Sequence, residues 1–278
     1  MKQLKWLSYP YIFWMILFII VPLILVFIFS FTTGDIRLNG DFQFSIENFQ
    51  RFFDPLYLKV LGKSVNLALK STIICLLLGY PMAMIISREN IKKRNVMILL
   101  FVVPMWMNFL LRTYAWMTLL GKNGVLNFLI KKLGFTPLNF IYNDNAVLLG
   151  MVYNFLPFMV LPIYSVLIKM DRSLIEAAED LGANKVKVFL KIIFPLSLPG
   201  VVSGFTMVFM PALSTFVISR LLGGGQYMLI GNLIEQQFLW TGDWHFGSAI
   251  SIIMMAFILI GMAITSKFDK EKEGGGLW

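Results

Sequence analysis

Apolar residues fall in long uninterrupted runs along this chain, and polar residues gather between them. Six runs reach or approach the roughly 20 residues a helix needs to cross the hydrocarbon core of a bilayer, at about 1.5 Å per residue. They are Tyr11–Phe31, Val65–Ser87, Val96–Leu119, Ala146–Ile168, Leu196–Ser219 and Gly247–Ser266. None alternates with the period of two that a membrane β-barrel strand shows. Backbone polar groups in lipid must be paired within the segment, so each run is predicted to be a helix. The pattern predicts an all-α integral membrane protein of about six transmembrane helices. Residues 1–64 hold a first transmembrane helix and an external loop. Residues 65–266 hold a core of five transmembrane helices, with a polar loop at residues 171–195. Residues 267–278 form a tail, whose polar, glycine-rich end EKEGGGLW (271–278) is expected to fray. Pro22, Pro81, Pro104, Pro157, Pro162, Pro199 and Pro211 lie inside or at the edges of five runs and predict kinks.

Composition agrees. Of 278 residues, 58% are hydrophobic and 14% charged, against roughly 25% charged in a soluble domain. Lys2 and Lys5 precede the first run as they would in a signal peptide. The run is too long for a usual signal, however, and no A-x-A cleavage site follows, so it reads as a retained helix.

The net charge of +9 matters through its distribution. Lys and Arg concentrate in Met1–Pro10, Arg88–Asn95, Lys169–Lys191 and Lys267–Trp278, and are sparser in the other connections. The positive-inside rule predicts that these four segments, and so both termini, are cytoplasmic. The charge is thus topological and points to no nucleic-acid partner. Lys70 and Arg112 sit near predicted span ends and are expected to snorkel.

Candidate chemistry is sparse. Cys75, the one cysteine, can form no disulfide within the chain and reads as a small buried apolar residue. His245, the one histidine, has no companions at metal-ligand spacing and reads as structural. Leu61-Gly62-Lys63-Ser64 lacks the upstream glycine of a phosphate-binding loop, since position 57 is Tyr57. Leu222-Gly223-Gly224-Gly225-Gln226 reads as a flexible turn. The predicted spans carry no Asp or Glu deep in the bilayer, where an ion-coupled carrier usually needs one. Small, polar and aromatic groups would instead line a path. Candidates are Trp106, Asn108, Tyr114 and Trp116 in span three, Asn154 and Phe155 in span four, and Phe216, Ser219 and Arg220 at the outer end of span five.

One charged stretch stands between spans four and five: EAAEDLGANKVKVFLKIIFP, Glu176–Pro195. Ser173-Leu174-Ile175-Glu176 fits a capping box, with Asp171 as an alternative cap. Leu174, Ala177, Ala178 and Leu181 share a face at i, i+3, i+4 and i+7. Gly182 sits where a helix ends in a positive φ. Asn184 can cap a second helix, Lys185–Phe194, expected to end at Pro195. The pattern is a short helix, a sharp glycine turn and a second helix leading into span five.

Glu176-Ala177-Ala178, Gly182 six residues after the Glu, and Ile192-x-x-Pro195 starting ten residues after the Gly resemble the EAA loop of type I ABC importer permeases. Phe194 replaces that family's usual Leu before the Pro. LLRTYAWMTLLGKNGVLN (Leu110–Asn127), YNFLPFMVLPIYSVL (Tyr153–Leu167) and LIGNLIEQQF with DWHFGSA (Leu229–Ala249) are similar to PotB-type spermidine/putrescine permeases. The likeness runs from about Phe49 onward. It implies a transport subunit of the bacterial inner membrane that forms half of a translocation pathway and has no cofactor of its own. ATP would be bound by a cytoplasmic ATPase dimer, docked on Glu176, Ala177, Ala178, Asp180, Gly182, Ile192 and Pro195. The other implied partners are a second, PotC-like permease, an extracytoplasmic substrate-binding protein and membrane lipid. Relatives on the same architecture carry iron, thiamine, phosphonates or opines. In PotB-like relatives an acid is expected at position 220 and a base at 235; here Arg220 and Glu235 reverse that order, as a candidate gate. A secondary carrier, a membrane-embedded enzyme and a purely structural subunit are the rival readings, and none accounts for the EAA spacing.

Overall fold

A computed structural model of the chain describes residues 9–34, 43–225 and 227–273, with side chains through Thr265. Lys2, Lys5, Arg37, Gln226 and the glycine-rich end at 274–278 lie outside the described residues. The helices are α1 (Tyr9–Ser30), α2 (Glu47–Phe52), α3 (Pro55–Arg88), α4 (Ile91–Trp106), α5 (Phe109–Leu120) and α6 (Val125–Lys132). They continue with α7 (Asp144–Leu167), α8 (Ser173–Asp180), α9 (Lys185–Ser214), α10 (Val217–Leu222), α11 (Ile230–Gln236) and α12 (Trp244–Glu273). A two-residue ladder pairs β1 (Thr32–Thr33) with β2 (Gln43–Phe44), antiparallel.

Five helices, α1, α3, α7, α9 and α12, are long and apolar enough to cross a membrane, and α4 with α5–α6 makes a sixth, broken span. The run Val96–Leu119 is therefore not one straight helix: the chain turns by 94° between its halves. Pro104 removes a donor near the end of α4. Asn108 then starts a new helix by accepting the N–H groups of Leu110 (2.9 Å) and Leu111 (3.3 Å) on Oδ1.

Two other prolines are absorbed without a break. In α1 a wide π-turn, Ile16–Ile20, precedes Pro22; in α9 another, Phe189–Ile193, precedes Pro195. The N–H of Val21 reaches back to Ile16, and that of Phe194 to Phe189. A proline ring crowds the carbonyl four residues back. Both crowded carbonyls, of Phe18 and Lys191, fall inside the widened turns, which accommodate the extra residue. Pro195 thus does not end a helix as expected. The helix from Lys185 runs on to Ser214 and stops there, short of the expected Ser219. Likewise α3 begins ten residues before Val65, so Lys70 lies well inside it, and α12 continues past Ser266 to Glu273, three residues into the stretch expected to fray.

The core is α3, α7 and α9 packed on one another. Its buried side chains include Ala68, Cys75 and Ala83 of α3, Met151, Met159, Val160 and Ile163 of α7, and Val208, Ala212 and Leu213 of α9. In lipid there is no water to expel from between helices, so close backbone approach through small residues must hold them. Gly200 and Gly204, four apart on α9, face Pro162, Ile163 and Met159 of α7. Helix α1 packs on α12 at the edge of this core, and its large side chains, Phe13, Trp14, Phe18 and Leu25 among them, are exposed as lipid-facing groups would be.

At the end of the bundle opposite α8, His245 clasps α12 to the end of α1. Its Nδ1 lies 3.1 Å from both the Phe29 carbonyl and Thr32 Oγ1, and its Nε2 lies 2.9 Å from the Gly34 carbonyl. Arg51 pairs with Asp243 at 2.7 Å beside it. His245 is structural, as its isolation in the sequence implied. Among the described residues no group of three His, Cys, Asp or Glu could hold a metal ion.

Gly200→Ala should destabilise more than Gly204→Ala. A Cβ at Gly200 meets backbone, the Pro162 carbonyl at 2.9 Å and Ile163 Cα at 3.0 Å; one at Gly204 first meets the movable Met159 sulfur at 2.8 Å. Overpacking of this kind costs about 1–3 kcal/mol. Thermal unfolding midpoints in detergent would show it, and the reverse order would contradict the packing described.

Candidate functional site

The polar segment after α7 folds as a helix, a tight turn and a second helix. Arg172 stands at the N-cap position of α8 without a side-chain bond, and Asp171 before it accepts the Ser173 N–H on Oδ1 at 3.0 Å. Ser173 is the first helical residue, so neither Ser173 nor Asp171 occupies the N-cap position, and the Ser173–Glu176 capping box does not form. The bond from the Ser173 N–H holds the exposed Asp171 carboxyl below the usual carboxylate range, because hydrogen bonding favours its charged form.

The turn is a Schellman motif. Gly182 N–H reaches the Glu179 carbonyl at 2.9 Å, and Ala183 N–H reaches Ala178 at 3.0 Å. Gly182 takes φ +78°, and nothing lies within 4 Å of where its Cβ would be. The glycine is therefore required by the backbone alone. Asn184 caps α9 by accepting the Lys187 N–H at 2.9 Å. Ile175 and Ala178 turn inward, while Leu174, Ala177 and Leu181 are exposed, Leu181 at 88%. Ala178 thus leaves the face the heptad-like spacing gave it and packs against the core. The start of α9 is tied to α3 by Tyr80 Oη and Ser197 Oγ, 2.7 Å apart and buried, with the Tyr80 ring edge-on to Phe189.

At the other end, Phe216, Ser219 and Arg220 lie on or beside the separate helix α10, beyond a break at Thr215, and not on the end of α9. Arg220 Nη1 meets Glu235 Oε1 of α11 at 2.6 Å. The guanidinium also lies 5.9 Å from the Trp240 ring centroid. Beside this pair Asn232 holds α10 to α11: its Nδ2 donates to the Phe216 carbonyl at 2.9 Å, and its Oδ1 accepts from Ser219 Oγ at 2.5 Å. Ser64 of α3 accepts the Ile230 N–H at 2.8 Å. Ile218 and Leu222 pack where Gly150 of α7 leaves room. Arg220, Asn232, Glu235 and Trp240 line an open cleft of about 260 Å³.

The remaining path candidates are dispersed. Trp106 is 78% exposed at the end of α4, and Tyr114 is exposed on α5. Trp116 packs edge-on to Tyr153 at 5.2 Å. Asn154 and Phe155 are buried inside α7, where Asn154 Nδ2 bonds the Gly150 carbonyl at 2.8 Å. Arg112 does not snorkel: its Nη1 donates to the Pro104 carbonyl at 2.6 Å, across the bend, and its guanidinium lies 5.7 Å from the Tyr153 ring centroid. Asn232, Trp240 and Tyr153 were missed in the sequence. An Asn inside the apolar stretch Leu229–Ile234 was the signal available for the first.

The stretch compared with a phosphate-binding loop makes no phosphate cradle. Leu61–Ser64 is inside α3, where its N–H groups serve the helix, and residues 223–225 form the turn after α10. The fold and the helix–turn–helix define a multi-pass membrane transport subunit. The chain belongs to the family of binding-protein-dependent transport system inner membrane components, whose model matches residues 1–273. It is 42% identical over 252 residues to the spermidine/putrescine transport system permease protein PotB of Escherichia coli, covering 89% of this chain and 92% of that one. It is 41% identical to the PotB of Haemophilus influenzae, covering 88% of each. A permease named YdcU from Escherichia coli is 27% identical over 85% of this chain and 80% of its own length. In fold it matches a chain of a bacterial ABC transporter that imports alginate, with a TM-score of 0.78 at 15% identity over 96% of both chains.

Two outcomes follow. A double-mutant cycle on Arg220→Ala and Glu235→Ala should give a coupling of about 1 kcal/mol in unfolding, reduced by salt, since the pair is partly exposed; no coupling at low salt would refute the contact. Protonation of Asp171 should loosen the start of α8. A carboxyl held below its ordinary range lends stability above that range and loses it as pH falls through the folded value. Hydrogen exchange at the Ser173 amide should therefore speed up in acid beyond the intrinsic trend, and Asp171→Asn should abolish that excess.

Proposed function

We propose that this chain is the permease subunit of an ATP-driven polyamine importer. The similarity to PotB over nearly the whole chain carries the reading. In this proposal α8 and its Gly182 turn face the cytoplasm and dock on an ATPase dimer, which alone binds ATP. Both termini are cytoplasmic, and a PotC-like second permease completes the pathway. A substrate-binding protein delivers spermidine or putrescine at the opposite face. The lysines and arginines around α8 support that sidedness.

The mechanism is alternating access, with ATP biasing two global states. Closure of the ATPase dimer displaces α8. Because α8 turns directly into α9, which is pinned to α3 by Tyr80 and Ser197, the displacement tilts these helices together. At the far end α9 stops beside the α10–α11 pair, where the Arg220–Glu235 bridge acts as an outer gate. The bridge reverses the charge order expected of PotB-like relatives, so a cation meets a different local field there. The second reading, an importer of another small solute on the same architecture, draws its support from that reversal. A secondary carrier lacks support from any buried acid in the described spans.

Uptake of labelled spermidine and putrescine tests the proposal, in cells lacking their own polyamine importers and expressing this chain with its companion subunits. Wild type should accumulate polyamine only while ATP is available. Gly182→Val should abolish uptake, because a β-branched residue at φ +78° is strained by about 1–2 kcal/mol or more. Uptake that survives ATP depletion but collapses with the ion gradient would reject the ATP-driven mechanism. An assembled, ATP-hydrolysing complex that imports no polyamine would reject the substrate.

A further inference from the structure

Two short helices carry the Arg220–Glu235 bridge: α10 has six residues and α11 seven. A helix needs about 12–15 residues to be even marginally stable alone, so tertiary contacts must set where these two lie. The chain path does not set it. Thr215 is extended, so α10 hangs from the end of α9 by a joint. The bridge cannot set it either: the Arg220 side chain is 48% exposed, and a pair so open to solvent contributes little. Ile218 and Leu222 seat α10 against Gly150 of α7, and the Leu222 carbonyl accepts the Tyr142 N–H at 2.8 Å. These contacts anchor α10 on α7, and none of them involves α11.

Between the two helices lies Asn232, half-buried, at the third position of α11 and one turn before Glu235. Its amide meets three groups at once. Nδ2 donates to the carbonyl of Phe216, which precedes α10, at 2.9 Å. Oδ1 accepts from the hydroxyl of Ser219, the neighbour of Arg220, at 2.5 Å, and from the Leu229 N–H at 3.3 Å. These partners fix which way the amide points, because a main-chain N–H only donates and a carbonyl only accepts. The bond from Leu229 is the returning half of a capping box, so one side chain both closes the start of α11 and sets it on α10. Gly231 beside it brings the α11 backbone onto the joint itself: a Cβ there would run into the Ser214 carbonyl and crowd that of Thr215.

We propose that Asn232 is the positioning residue of the Arg220–Glu235 pair. Its amide fixes the register of α10 on α11 in which the guanidinium reaches the carboxylate at 2.6 Å. Without it the seat on α7 remains, the register against α11 is lost, and the two charges are solvated separately. Opening of the outer gate then begins with the release of α10 by Asn232, and the bridge follows. That last consequence rests on the gate role proposed above; the positioning itself does not.

Unfolding cycles on Arg220→Ala and Glu235→Ala test this, with the full chain in detergent and in three backgrounds. These are wild type, Asn232→Leu, which keeps the shape and removes every hydrogen bond of the amide, and Ser219→Ala, which removes one. The coupling between positions 220 and 235 should be present in wild type, shrink with Ser219→Ala and be lost with Asn232→Leu. A side chain that only stabilised the fold would lower every midpoint and leave the coupling as it was. That result overturns the proposal, and either variant that folds suffices to give it; absence of coupling in the wild type overturns it as well. Hydrolysis of ATP by the assembled transporter in nanodiscs, without binding protein, separates the positioning from the gate. If the bridge holds the resting state, Asn232→Leu should raise this idle rate about fivefold, as Arg220→Ala should, and the two together should raise it no further. Rises that multiply in the double variant overturn the proposal. Lost coupling with an unchanged idle rate upholds the positioning and rejects the gate.

Discussion

A helix in lipid must satisfy its own main-chain hydrogen bonds, and each irregularity in this chain is a place where another device does so. Pro22 and Pro195 would each crowd a carbonyl, and a π-turn before each absorbs the misfit. At the bend after α4, Arg112 reaches across to the Pro104 carbonyl, which also accepts the Met107 N–H. A cation at a helix C-terminus also meets the negative end of its dipole. The first N–H groups of α5 are taken by Asn108, and the start of α11 by Ser64 and Asn232. Polar side chains inside the bundle thus serve the backbone first, so being polar and membrane-embedded does not by itself mark a residue as lining a path.

That constraint shapes the link between the two ends. Had Pro195 ended a helix, the segment after Gly182 would join the core through a joint. With the π-turn, α9 is one helix of 30 residues, about 45 Å long at 1.5 Å per residue. One end carries the Asn184 cap beside α8, and the other stops next to Phe216 and Asn232. A continuous rod packed through Gly200 and Gly204 against α7 carries a tilt with little loss, because packed interiors do not deform continuously.

What the sequence disclosed follows from the range of the physics involved. Apolar runs, the Gly182 turn, the Asn184 cap and the pairing of Arg220 with Glu235 were all legible, being set by periodicity, local backbone geometry or opposite charge. The break at Asn108 was half legible: Pro104 announced a kink, but only the capping bonds of Asn108 make it a 94° turn. The place of Ala178 was misjudged because an isolated helix does not say which way its sides face; Ile175 and the ends of α3 and α9 decide that. Arg112 could not be read at all, since its partner is a main-chain carbonyl that only the bend brings within reach.

The acids in the bilayer-length helices sit near helix ends, as Asp144 does at the start of α7. For the proposed polycationic cargo this is a constraint on mechanism. Without a fixed carboxylate in the spans, a bound ammonium would have to trade its hydration for aromatic faces and carbonyls alone, which replace water poorly. The one guanidinium at the bend, Arg112, would repel it further, though its hydrogen bond to Pro104 and its approach to Tyr153 already engage it. Such a pathway holds its cargo weakly. Weak holding suits a subunit that receives substrate already selected by a binding protein and must release it in one direction when ATP changes its state. Under that proposal the acid of the outer gate, Glu235, is the place where this chain can distinguish one cation from another.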